Sequence, residues 1–144
     1  MPDCAREVMP TVLITGASRG LGLEFARQYA ELGWHVLSTC REPDRASALR
    51  ELSERHPSMC LHALDVTQDK SVRSLAEVLD GTTIDVLLNN AGIAGRIDRQ
   101  VLGALDYGVG HETMETNLFG PLRMAEAFLE HVAASAQRKI MTIS

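Results

Sequence analysis

Short apolar runs alternate along the chain with segments whose apolar residues recur every three or four positions. That alternation of strand period and helix period is the signature of βαβ units and a parallel sheet. Residues 11–15 (Thr-Val-Leu-Ile-Thr) form the first run, and a glycine-rich turn covers residues 16–22. Leu21, Phe25, Ala26, Tyr29 and Ala30 then fall on one face of a helix that Gly33 is placed to stop. Residues 34–40 read as the second strand. A helix starting at Pro43 and Asp44 carries Leu49 and Leu52, Pro57 prevents its continuation, and residues 59–64 give a third strand.

In the second half Thr67 is the expected N-cap of a helix marked by Val72, Leu75, Ala76 and Leu79 and ended before Gly81. Residues 84–88 read as a central parallel strand covered on both faces, ended by Asn89 and Asn90. Residues 94–110 contain four glycines and little periodicity, which predicts a long loop at the strand's carboxyl end. Met114, Leu118, Leu122, Ala125, Leu129 and Val132 predict one long amphipathic helix, and residues 140–143 begin a fifth strand. The pattern as a whole predicts one α/β domain over residues 1–144, an open doubly wound parallel sheet whose ligand lies across the carboxyl ends of the strands.

Composition narrows the function classes. The 144 residues are 45% apolar and 23% charged, the balance of a folded globular domain rather than a disordered chain. The net charge of -5 comes from scattered carboxylates, and without a basic stripe nucleic acid is not an expected partner. The first ten residues include Asp3 and Glu7 and lack an apolar stretch, so no secretory signal is read there, and no apolar run is long enough for a membrane span. A cytoplasmic protein without a membrane partner is therefore expected. Cys4, Cys40 and Cys60 make no C-x-x-C pair, and Cys40 and Cys60 are expected as buried strand thiols. The five histidines are dispersed, and no metal site is expected.

Three motifs carry candidate chemistry. Thr15-Gly16-Ala17-Ser18-Arg19-Gly20-Leu21-Gly22 joins a predicted strand to a predicted helix, where glycines let backbone approach a pyrophosphate at the helix N-terminus; a tight turn without a ligand is the plainer alternative. Asp65-Val66 follows the third strand, where a carboxylate could accept a bond from the exocyclic amine of adenine or merely cap a turn. Asn89-Asn90-Ala91-Gly92 follows the fourth strand and offers amides and a small-residue turn beside a ribose or nicotinamide, or hydrogen bonds that close the sheet end. At the end of the second strand stand Cys40 and Arg41, with no carboxylate at the position that would take a ribose 2′-OH. Arg41 and Arg19 suit the 2′-phosphate of NADP, making NAD the less favoured cofactor, while Glu42 could pair with Arg41 and weaken that site.

The spacing T-G-x-x-x-G-x-G, followed in order by Asp65 and by N-N-A-G, resembles the short-chain dehydrogenase/reductase family over essentially the whole chain. The stretch Glu115-Thr116-Asn117-Leu118-Phe119-Gly120-Pro121-Leu122-Arg123-Met124 is similar to the branch of C-factor-like proteins and small carbonyl reductases. The resemblance implies a Rossmann fold, NADP(H), and hydride transfer with a small carbonyl or alcohol. It places Gly16, Ser18, Arg19, Gly20, Leu21, Gly22, Arg41, Asp65, Val66, Asn90, Ala91 and Gly92 at the cofactor. It also implies that the main-chain carbonyl of Asn117 holds a water of a proton relay. Pro121 agrees with that role, because proline has no N–H to give the carbonyl four residues earlier and should kink the helix there.

The family's Y-x-x-x-K is not found, since Tyr29 and Tyr107 are followed four residues on by Gly33 and His111. Thr142-Ile143-Ser144 resembles the start of the segment holding the catalytic serine, with that serine expected at Ser144 or the next position. The fold is accordingly expected to be truncated after the fifth strand: an incomplete NAD(P)-binding domain, inactive alone, with an unpaired edge and a possible homo-oligomer surface on the helix over residues 112–132. The rival expectation is a nucleotide-binding or C-factor-like signalling protein without enzymatic activity.

Overall fold

A computed structural model of the chain describes residues 9–143, so Cys4 and Ser144 lie outside the described residues. Its strands are β1 (Thr11–Ile14), β2 (His35–Cys40), β3 (Met59–Ala63), β4 (Val86–Asn89) and β5 (Lys139–Thr142). They form one sheet in the order β3-β2-β1-β4-β5 with every pairing parallel, which is the doubly wound architecture the alternation predicts. The crossovers are α1 (Gly20–Glu31), α2 (Ser47–Arg55), α3 (Asp69–Val78) and a helical stretch made of α4 (Tyr107–Met114), α5 (Gly120–Ala127) and α6 (Leu129–Ala133).

Side-chain alternation along the strands builds two cores. Val12 and Ile14 of β1 pack with Ala26 and Ala30 of α1 and with Leu49 and Leu52 of α2. Leu13 points the other way, against Val72 and Leu75 of α3 and Met124 of α5. Helices on both faces leave no polar side for the central strands, so β1 and β4 are buried along their whole length. Asp85 interrupts the predicted strand over residues 84–88, yet it is buried. Its carboxylate accepts hydrogen bonds from the Thr11 N–H at 2.9 Å and the Gln137 N–H at 3.3 Å, tying together the approaches to β1, β4 and β5. Those bonds offset the cost of taking the group out of water.

Several expectations need correction. α4 starts at Tyr107, inside the segment expected to be loop, because Asp106 caps it by accepting from the N–H groups of Gly108 (2.9 Å) and Val109 (3.3 Å). The long helix is not one regular helix: a π-helical turn at Glu115–Phe119 separates α4 from α5, and the chain breaks again at Phe128. Its sheet-facing stripe is Met124, Phe128 and Val132, whereas Leu118, Leu122 and Leu129 are 42%, 52% and 53% exposed. Two apolar stripes share this stretch, and the sheet takes the one with the large Phe128 ring. Thr67 does not cap α3; Gln68 holds the N-cap position and the Thr67 hydroxyl donates to Asp65. Cys40 is buried as expected, but Cys60, on the edge strand β3, is exposed.

The bend expected at Pro121 takes the form of that π turn. The Gly120 N–H bonds the Glu115 carbonyl five residues back, widening the helix by one residue where proline cannot donate. β5 lies at the other edge of the sheet, and all four of its residues are exposed. No helix among the described residues is long and apolar enough to cross a membrane.

Candidate cofactor site

The chain leaves β1 toward β2 on one side, while β4 pairs on the other, so the crossovers diverge between β1 and β4 and open a crevice at their carboxyl ends. A cavity of about 460 Å³ occupies that crevice. The glycine turn contributes Gly16, Ser18, Arg19 and Gly20 to its wall, and the end of β2 contributes Thr39, Cys40 and Arg41. The segment after β3 adds Leu64, Asp65, Val66 and Thr67, and the segment after β4 adds Asn90, Ala91, Gly92 and Ile93. Glu112, Glu115 and Thr116 close it from the helical side.

The glycine turn is fixed by contacts that only small residues allow. Gly16 has φ 67°, and a Cβ there would come within 2.8 Å of the Ala91 Cα. A Cβ on Gly22 would overlap the Gly16 carbonyl oxygen. The Thr15 hydroxyl accepts from the N–H groups of Asn90 (3.0 Å) and Ala91 (2.9 Å), and the Asn90 amide donates back to the carbonyls of Thr15 and Gly16, both at 3.1 Å. The turn and the Asn90-Ala91 segment are therefore one interlocked unit. No side chain caps α1, whose first residue, Gly20, lines the cavity. Unpaired N–H groups at such a terminus suit an anion.

Charge is distributed asymmetrically around this unit. Arg19 and Arg41 both face the cavity and make no ion pair among the described residues. Glu42, which could have neutralised Arg41, pairs instead with Arg45 at 2.8 Å. Cys40 lines the same cavity, and burial pushes its thiol above its ordinary value. Asp65 uses Oδ1 to accept from the Thr67 N–H (3.0 Å) and hydroxyl (2.7 Å), an Asx turn that holds the segment after β3 against the cavity.

Asn117 does not line the cavity. Its side-chain amide pairs with Ile93, accepting from the Ile93 N–H and donating to the Ile93 carbonyl, both at 2.8 Å. Of the residues expected at a cofactor, ten line the cavity: Gly16, Ser18, Arg19, Gly20, Arg41, Asp65, Val66, Asn90, Ala91 and Gly92. Leu21 is largely exposed and Gly22 packs inside the turn, so neither side of that expectation is met by cavity contact. Asn89 is buried as the last residue of β4, with no hydrogen-bond partner for its amide among the described residues. Thr39, Cys40, Leu64, Thr67, Ile93, Glu112, Glu115 and Thr116 also line the cavity without being expected at the cofactor, and Thr15 braces the turn from behind, although Thr15 and the pair Glu115-Thr116 stand in the quoted motifs.

Residues 10–144 match the family model described as short chain dehydrogenase. The chain belongs to the short-chain dehydrogenase family. A short-chain relative, (+)-neomenthol dehydrogenase of Arabidopsis thaliana, is 33% identical over 97% of this chain and 55% of its own length. The structure of an NADPH-bound carbonyl reductase from chicken fatty liver is 34% identical with TM-score 0.80, covering 90% of this chain and 54% of that one. A carbonyl reductase from Pseudomonas aeruginosa PAO1 in complex with NADP is 33% identical with TM-score 0.80, covering 85% and 54%. This short-chain dehydrogenase chain thus spans about half the length of the relatives it matches.

Proposed function

We propose that the chain is the cofactor-holding part of an NADP(H)-linked oxidoreductase acting on a small carbonyl or alcohol. The observation that carries this reading is the pair Arg19 and Arg41 facing one cavity while Glu42 is engaged by Arg45. Guanidinium groups match a 2′-phosphate in charge and geometry. The NADP and NADPH bound in the two carbonyl reductases support the same cofactor. When bound, the nicotinamide would give or take the hydride.

In this reading the chain's own residues bind and orient. The turn from Gly16 through Ser18 and Gly20 to the Leu21 backbone holds the pyrophosphate, and Gly22 lets the helix sit close enough for that. Asp65 and Val66 hold the adenine, and the backbone of Asn90, Ala91 and Gly92 approaches the ribose and nicotinamide. Asn117 fixes Ile93 through its amide and offers its main-chain carbonyl to a water. The exposed apolar residues Leu118, Leu122 and Leu129 support a homo-oligomer through the helical stretch, which light scattering showing only monomers would contradict. Free Cys40 and Cys60 fit a reducing cytoplasmic setting.

The test follows NADPH absorbance with aldehydes, ketones and quinones, for the 144-residue chain and for a polypeptide extended to the relatives' length. The short chain is expected to show no turnover, because positioned acid catalysis is worth about a hundred- to ten-thousandfold and neither Tyr29 nor Tyr107 has the family's lysine four residues on. Turnover by the short chain that disappears in Tyr107→Phe would show the acid to lie within these residues. Cofactor binding without turnover in the extended polypeptide would favour the non-enzymatic, C-factor-like alternative.

A further inference from the structure

Arg123 lies on α5 outside the cavity, and its guanidinium joins three separate pieces of the chain, two of which hold cavity-lining residues. Its Nε donates to Asp69 Oδ1 at 2.5 Å, in the first turn of α3. Its Nη1 donates to the Val66 carbonyl at 3.2 Å, and its Nη2 donates to Glu115 at the start of the π turn. The Arg123 side chain is 24% exposed and Glu115 39%, while Asp69 is 65% exposed, so the pair with Glu115 is the better shielded of the two and that with Asp69 is a surface pair. Val66 is gripped a second time from the same helix, because a Cβ on Gly120 would come within 2.8 Å of the Val66 Cγ2. Val66 and Glu115 both line the cavity.

We propose that Arg123 is a positioning residue for the cofactor, which it never touches. The proposal rests on the NADP(H) reading above. It has two parts that follow from the contacts. The fork of one guanidinium fixes the segment after β3 against α5, which sets the width of the cavity opposite the glycine turn. The same cation neutralises Glu115, so that a carboxylate in the wall does not repel a ligand that carries several phosphate charges. A lysine ammonium is a point charge without the planar fork and cannot hold three acceptors in this geometry.

The experiment titrates NADPH into the wild-type chain, Arg123→Met, Arg123→Lys, Glu115→Gln and the double variant Arg123→Met/Glu115→Gln, with circular dichroism and thermal melting on each. Arg123→Met is expected to weaken NADPH by about tenfold, the scale of one charge-assisted hydrogen bond. Arg123→Lys should recover part of the loss, and the double variant should bind more tightly than Arg123→Met because the unpaired carboxylate is gone. A purely structural role would lower the melting temperature of Arg123→Met without weakening NADPH binding, whereas the gain in the double variant reports the charge of the Glu115 carboxylate, whose ion-pair partner is Arg123. A folded Arg123→Met with wild-type affinity overturns the proposal, and so does a double variant no better than Arg123→Met. If Arg123→Met does not fold, Arg123→Lys decides: weakened binding supports the proposal and wild-type affinity overturns it. A wild-type chain with no affinity for NADPH overturns the cofactor reading itself, an outcome distinct from wild-type binding that the variants leave unchanged.

Discussion

The wall made by the glycine turn and the wall made by α4 and the π turn, backed by α5, face the same cavity and are held by different physics. On the first, backbone packs directly on backbone, Gly16 against Ala91 and Gly22 against Gly16, and the short side chains of Thr15 and Asn90 add four hydrogen bonds between residues 15–16 and 90–91. On the second, long side chains do the joining, through Arg123 to Asp69, Val66 and Glu115 and through Asn117 to Ile93. A steric lock fails abruptly when a single methyl group is added, because close-packed backbone cannot move aside. A side-chain clasp fails by degrees, since water can replace part of each lost bond.

The largest effect is therefore expected at Gly16. Gly16→Val forces a β-branched residue to φ 67° and drives its Cβ into Ala91, which should cost about 2–4 kcal/mol and abolish NADPH binding. Chemical denaturation beside a cofactor titration reads both, and a variant that binds normally would break the comparison. Asn117→Ala removes two hydrogen bonds from an exposed clasp, so its stability loss should be about 1 kcal/mol with the helices intact. A loss at Asn117 as large as that at Gly16 would mean the two walls are not different in kind.

The same contrast explains what could be read from the chain alone. Strand alternation is a local property and the five parallel strands follow from it, while the ordered motifs that resemble the family imply ten of the residues that line the cavity. The helical wall resisted because the stretch over residues 114–132 carries two apolar stripes, and periodicity cannot say which one the sheet will cover. Met124 and Phe128 win that contest through burial against Leu13 and Leu87, partners far away in sequence. Arg123 is 54 residues from Asp69, and Asp85 is 74 from Thr11. Each looks like an ordinary surface charge until the fold brings its partners together.

The arginines of the glycine-turn side carry the central claim, and a paired titration of NADP(H) and NAD(H) on the wild-type chain and Arg41→Ala tests it most directly. The wild-type chain is expected to bind the phosphorylated cofactor at least about tenfold more tightly, and Arg41→Ala to lose most of that difference while its affinity for NAD(H) stays nearly unchanged. Equal affinities in the wild-type chain, or an undiminished preference in Arg41→Ala, would contradict the assignment.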